Sequence, residues 1–153
     1  EVRRAAAGAL HKLLQSGGEA AVATVSTLLE HPSGGVRSLA VEMAATLAAK
    51  DDERVVAAVG ARLGHRDAHV RQAALDALGK VAKPGDRRAI AAAGALLEHP
   101  EEAVRESAVE ALGRVADRGD QQAVSAVAAR LEHPSPAVRR AASAALPAVA
   151  GQG

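Results

Sequence analysis

Val70-Arg71-Gln72-Ala73-Ala74-Leu75-Asp76-Ala77-Leu78-Gly79 returns 34 residues later as Val104-Arg105-Glu106-Ser107-Ala108-Val109-Glu110-Ala111-Leu112-Gly113. The recurrence runs the length of the chain. Val-Arg stands at Val2-Arg3, Val36-Arg37, Val70-Arg71, Val104-Arg105 and Val138-Arg139. Leu-x-His keeps the same step at Leu29/His31, Leu63/His65, Leu97/His99 and Leu131/His133. Two independent markers in one register, with no insertion, define a repeat array, and a fixed period of this length is the signature of stacked supersecondary units.

Inside each unit the apolar spacing is helical. Val36, Leu39, Ala40, Met43, Ala44 and Leu47 fall at i, i+3, i+4, i+7, i+8 and i+11, and Val70, Ala73, Ala74, Ala77, Leu78 and Val81 repeat the series. That is one face of a first helix of three to four turns. Ser33, Asp67, Glu101 and Ser135 stand at its N-cap, with Pro136 at the favoured first helical position. A turn follows at Gly17-Gly18, Asp51-Asp52, Gly85-Asp86 and Gly119-Asp120, and Asp52, Asp86 and Asp120 read as N-caps of a second helix. That helix carries Val55, Val56, Val59 and Leu63 in one repeat and Val124, Val127 and Leu131 in another. It ends at His31-Pro32, His99-Pro100 and His133-Pro134, because proline disfavours helix at the residue before it.

The expected fold is therefore an all-α solenoid of stacked antiparallel helix pairs over residues 1–153. Repeats start near 2, 36, 70 and 104, with a partial fifth at 138. Neither helix of a pair buries its face alone, so stability is shared between neighbours. Composition agrees. About a quarter of the chain is alanine, and Phe, Tyr, Trp and Cys are absent. A core without rings needs close helix packing, which alanine allows while favouring helix. Ser143 replaces the apolar Val41, Leu75 and Val109, and Pro147 is expected to interrupt the last helix, as in a capping unit. Glu1-Val2-Arg3-Arg4 resembles the middle of a repeat, which points to a piece of a longer chain.

The two stretches Val70–Gly79 and Val104–Gly113 resemble the first helix of HEAT repeats. They are most similar to the short HEAT-like repeats named after phycobilisome lyases, and the likeness spans four full repeats and the first helix of a fifth. It implies a solenoid whose second helices line the concave side. The same repeat type serves in scaffolds, adaptors, lyases and DNA-repair proteins.

Few residues invite a chemical reading. His31, His65, His99 and His133 form a series, with Glu30, Glu98 and Glu132 before three of them. The resemblance extends to one HEAT-like enzyme family, deoxyhypusine hydroxylase, which binds two irons through His-Glu pairs. Here the order is Glu-His, at the wrong helix end, and the positions after Val-Arg hold Arg4, Ser38, Gln72, Glu106 and Arg140. Stacked equivalents lie roughly 10 Å apart, whereas ligands converge to about 2 Å from one metal. A helix C-terminus that favours an imidazole accounts for the series. No metal, cofactor, small-molecule substrate or catalytic residue is expected, and no Gly-x-Ser-x-Gly nucleophile motif is present.

Arg3, Arg37, Arg71, Arg105 and Arg139 offer a phosphate stripe, but Glu30, Asp67, Glu98, Glu101 and Glu132 crowd the same turns as partners. Nineteen basic residues against eighteen acidic ones leave no basic excess, and no ring is available to stack on a base. Asp76/Lys80 and Glu110/Arg114 read as i, i+4 pairs on a solvated face. Gly79 and Gly113 read as points of close helix approach.

What remains is a surface. Ala23, Ala57, Ala91 and Ser125 align on the second helices, as do Thr27, Ala61, Ala95 and Ala129, flanked by Arg54, Arg62, Arg88, Gln122 and Arg130. Half of the small residues are expected to pack against neighbours. The rest would form a smooth strip suited to a broad, shape-matched protein partner, without the Trp and Tyr anchors of energetic hot spots. The leading expectation is a non-enzymatic interaction scaffold or subunit of a larger assembly. The alternatives are a bilin lyase or chromophore-handling factor and a nucleic-acid-binding solenoid using the arginine rows. No uninterrupted apolar stretch reaches the length of a membrane span.

Overall fold

Each Val-Arg marker lies in the first turns of a helix, and each Leu-x-His closes the next one. The computed structural model describes residues 2–50 and 52–151, leaving aside the side chains of Val2, Arg3, Ala5, Ala6, Ala9 and Leu14. The first Val-Arg marker and Asp51 therefore lie outside the described side chains. Among the described residues there are nine α-helices and no strand: α1 (Val2–Ser16), α2 (Glu19–Leu29), α3 (Gly34–Ala49), α4 (Arg54–Gly60), α5 (Ala68–Val81), α6 (Arg87–Leu96), α7 (Glu102–Val115), α8 (Gln121–Ala128) and α9 (Pro136–Val149). The odd-numbered helices pack side by side in one layer and the even-numbered ones in a second. The core fills the space between them. Leu29, Leu63 and Leu97 of the Leu-x-His marker are fully buried there, beside Leu78, Leu112, Val59 and Ile90.

The closely packed hairpin is offset from the sequence repeat. α2 approaches α3, α4 approaches α5, α6 approaches α7 and α8 approaches α9 more extensively than either helix of a Val-Arg unit approaches its own partner. The turn after each histidine thus joins the closer of the two pairs that are adjacent in the chain. The second helices also finish earlier than their apolar pattern: α4 gives way after Gly60 to i→i+3 bonds, Arg62 N–H to Val59 O and Leu63 N–H to Gly60 O, and α8 does the same after Ala128. Tightening the last turn satisfies carbonyls that an α-helical end would leave open.

The other turn is held across repeats. Gly85 and Gly119 adopt φ of 76° and 79°, which a side chain would strain. Each N–H then reaches the end of the next first helix, Gly85 to Val115 O at 2.7 Å and Gly119 to Val149 O at 2.8 Å. Asp86 accepts from the N–H groups of Arg88 and Ala89, and Asp120 from that of Ala123, as their N-cap spacing predicts. Asp52 accepts from Arg54 N–H at 3.2 Å, although Glu53 is the residue directly before α4.

Pro147 does not interrupt the last helix. α9 runs through it to Val149, the same place where α5 and α7 end at Val81 and Val115. So near a C-terminus the ring forfeits a single i→i−4 bond, and Pro147 is exposed. Ser143 is exposed too, where Val41 and Leu75 are buried.

Of the four expected first-helix caps only Asp67 uses its side chain, accepting from His69 N–H at 2.8 Å. Ser33, Glu101 and Ser135 make no such bond. The His69 N–H holds the Asp67 carboxyl below its ordinary 3.8. A depressed folded value stabilises the fold above pH 4, and that contribution is lost as pH falls through the depressed value. Asp67→Asn keeps a capping oxygen but cannot titrate, so it should show a smaller loss of Tm between pH 5 and pH 2.5 than the parent in thermal unfolding.

Candidate protein-binding face

The second-helix layer turns small residues outward. Ala23, Ala57, Ala91 and Ser125 are all exposed, and so are Thr27, Ala61, Ala95 and Ala129. All eight are exposed, where half were expected to be covered by neighbours. The helices come close enough to align these rows because Gly60 and Gly94 face the next repeat. A Cβ on Gly60 would lie 3.2 Å from Ala92 Cβ, and one on Gly94 would lie 3.3 Å from Ala126 Cβ.

The close approaches therefore fall at Gly60 and Gly94, not at Gly79 and Gly113. A Cβ at Gly79 would meet only Arg114 Nη1 at 3.9 Å, and at Gly113 only Ala148 Cβ at 3.6 Å. Both glycines are exposed on helices. Gly79→Ala should raise stability by about 0.5–1 kcal/mol, since helix propensity improves and nothing is displaced. Chemical denaturation would show this as a higher midpoint with an unchanged slope.

The arginines split into two groups. Arg54 is exposed and bound to Asp52 by two side-chain bonds of 3.0 Å, which hold the Asp52 carboxyl below its usual range. Arg88 is exposed and pairs with Glu53 at 2.8 Å. Arg62 and Arg130 are more withdrawn, with side-chain exposures of 25% and 19%. Arg62 Nε donates to Glu30 at 3.0 Å, and Arg130 Nε sits 2.9 Å from Glu98, off the N–H direction, while Nη1 donates to Ala126 O at 2.7 Å. Gln122 takes the row position of Arg88 and donates to Arg87 O at 3.0 Å. Arg62, Arg88, Gln122 and Arg130 thus each reach the preceding repeat, while Arg54 binds Asp52 of its own. The readable signal was the spacing of 32 residues shared by Glu30/Arg62 and Glu98/Arg130.

The described Val-Arg arginines bond to backbone carbonyls rather than to carboxylates. Nη1 of Arg37, Arg71, Arg105 and Arg139 each donates to two carbonyls of the preceding turn at 2.7–2.9 Å: His31 and Pro32, His65 and Arg66, His99 and Pro100, His133 and Pro134. The histidines of those turns accept at Nδ1 from the N–H two residues on, of Ser33, Asp67, Glu101 and Ser135, at 3.0–3.1 Å. Arginine and histidine together tie the turn between each second helix and the first helix that follows it. In each described arginine of the row Nη1 is used within the protein, which gives the row a structural role. Lys80 pairs with Glu42 of the preceding repeat and Asp76 with Arg114 of the next, whereas Glu110/Arg114 is the within-helix pair expected, at 2.8 Å. Among the described residues no group of three His, Cys, Asp or Glu is placed to hold a metal ion, and no helix is long and apolar enough to cross a membrane.

The family model for HEAT repeats matches residues 26–93 and again residues 90–152. This chain belongs to the HEAT repeat family. The match is to HEAT repeats as a whole and does not reach the phycobilisome-lyase-type subgroup. No curated protein matches the chain. Among solved structures this HEAT array is similar to computationally designed armadillo repeat proteins for modular peptide recognition, with 22% identity and a TM-score of 0.42 over 92% of this chain and 68% of that one. It is similar also to a designed armadillo repeat protein in complex with peptide (KR)4, with 20% identity and a TM-score of 0.43 over 93% and 68%. HEAT arrays commonly serve as protein-interaction scaffolds, and the fold is typically non-enzymatic.

Proposed function

We propose that this HEAT array is a non-enzymatic protein-interaction module whose partner lies on the second-helix, concave face. The observation that supports this is the exposure of two rows of small residues, Ala57, Ala91 and Ser125 with Ala61, Ala95 and Ala129. Arg54 and Arg88 form a polar rim, Gln122 continues it, and Arg62 and Arg130 brace the opposite edge. A surface of this kind gives breadth and shape rather than a few anchoring side chains. It fits a partner as an adaptor or assembly subunit would, with each repeat adding one further step of contact.

Because Ala91 is exposed on a helix, Ala91→Glu should leave the melting temperature within a degree or two of the parent. It should weaken capture of the partner that co-purifies from the native source by at least about tenfold, by interrupting the smooth strip with a charge that must be desolvated. A variant that binds as well as the parent would defeat the proposal.

A further inference from the structure

The turn from a first to a second helix takes two forms along the chain. In repeats 3 and 4 the first helix stops at Val81 or Val115 and the next residue is extended. The turn glycine then donates across the joint, Gly85 to Val115 O and Gly119 to Val149 O. α9 stops in the same way at Val149, with Ala150 extended. The closing carbonyls of α7 and α9 are thus left to the repeat before them.

The joint between repeats 1 and 2 is built otherwise. Gly17 holds the place of Gly85 and Gly119 and shares their left-handed backbone, with φ of 67°. Its N–H nevertheless turns back to Leu13 O of its own helix, at 3.1 Å. Leu47 holds the place of Val115 and Val149, but α3 runs past it to Ala49. Leu47 O accepts from Lys50 N–H at 3.1 Å and Asp52 N–H at 3.3 Å, both of its own turn. Where Asp86 and Asp120 cap the next helix with their side chains, Gly18 stands before α2 at φ 90° and has none. Beside this turn, Ala7 and Leu10 of α1 and Leu39 and Met43 of α3 line a gap of about 240 Å³ between the two helices.

We infer that α1 is a lid, hinged at Gly17-Gly18, over the apolar side of α3 that holds Leu39 and Met43. The bond from Gly17 N–H to Leu47 O is the latch that this lid lacks. Closing it needs α3 to end at Leu47, as α7 and α9 end at Val115 and Val149. The sequence of the turn works against that. Asp51 stands where Gly85 and Gly119 turn left-handed, and Lys50 where Pro84 disfavours helix at the residue before it. α9 is the internal control. It too has a neighbouring first helix on one side only, yet Gly119 latches it, so the difference between α1 and α9 lies in the turn. Nothing in this rests on what binds the Ala57–Ser125 strip, a different surface.

The test uses the whole chain, whose single methionine is the probe. Amide exchange followed by NMR should show Gly17 exchanging at least about tenfold faster than Gly119 after correction for intrinsic rates. Dilute hydrogen peroxide should oxidise Met43 in the folded chain, although it is 3% exposed. Ala49→Lys, Lys50→Pro and Asp51→Gly together give repeat 2 the turn of repeat 3, and should slow both processes at least about tenfold. Three results would overturn the inference: Gly17 as protected as Gly119, Met43 inert to peroxide under native conditions, or both rates unchanged in a variant that circular dichroism shows to be folded. The first two are read on the parent chain and decide the matter even if the variant does not fold.

Discussion

Arg71→Ala is expected to lower the unfolding free energy by about 3 kcal/mol, more than removal of any other arginine in the chain. Arg71 is 8% exposed and lies among the buried residues of α5. Its Nη1 donates to His65 O at 2.8 Å and Arg66 O at 2.9 Å, carbonyls that follow α4 and have left the helical ladder. Bonds to a charged donor are worth about 1.5–3 kcal/mol, and a part-buried carbonyl left without its donor adds to the loss. The stem of the side chain also leaves a gap beside the core. Arg139 makes the same two contacts but is exposed, so Arg139→Ala should cost well under half as much. Arg71→Lys should recover little, since an ammonium group lacks the guanidinium fork. Urea unfolding of the three variants would show the order, and equal losses at positions 71 and 139 would remove the argument from burial.

The second large effect belongs to the apolar half of the other marker. Leu97→Ala should cost about 3 kcal/mol, within the range of roughly 2–5 for a buried leucine truncated in a core that cannot collapse. Leu97 is fully buried between the layers. Leu131 holds the same place one repeat on but is only half-buried, so Leu131→Ala should cost about 1 kcal/mol. The contrast separates neighbour-dependent burial from any intrinsic merit of the Leu-x-His motif. If both variants lost the same stability, burial by the next repeat would not be what gives these leucines their worth.

Much of the fold was legible because its period is local. The Val-Arg step, the i, i+3, i+4 apolar spacing and the aligned aspartates each act within one unit, where sequence separation fixes geometry. The cross-repeat contacts were not legible in the same way. Which glutamate meets which arginine depends on how far one helix slides along the next, and that offset appears in the chain only as the spacings of 32, 35 and 38 residues. Charge logic matched Arg71 with carboxylates. The fold instead gave it carbonyls, because a reversing chain exposes acceptors that no backbone N–H can reach. Glycines misled for a related reason: Gly79 and Gly113 resemble Gly60 and Gly94 in sequence, but only the latter pair lies on the stacking side of its helix. The candidate face was readable as two aligned rows, while its width depended on how many of the eight small residues the neighbouring helices leave exposed.

The chain has no cysteine, which allows the most direct test of the interaction reading. Single cysteines at Ala57, Ala91 and Ser125 on one layer, and at Ser38 and Gln72 on the other, can be alkylated with the native partner present and absent. Protection of the first three with Ser38 and Gln72 left open is the predicted result. Protection of the first-helix positions, with the second-helix row still reactive, would contradict it.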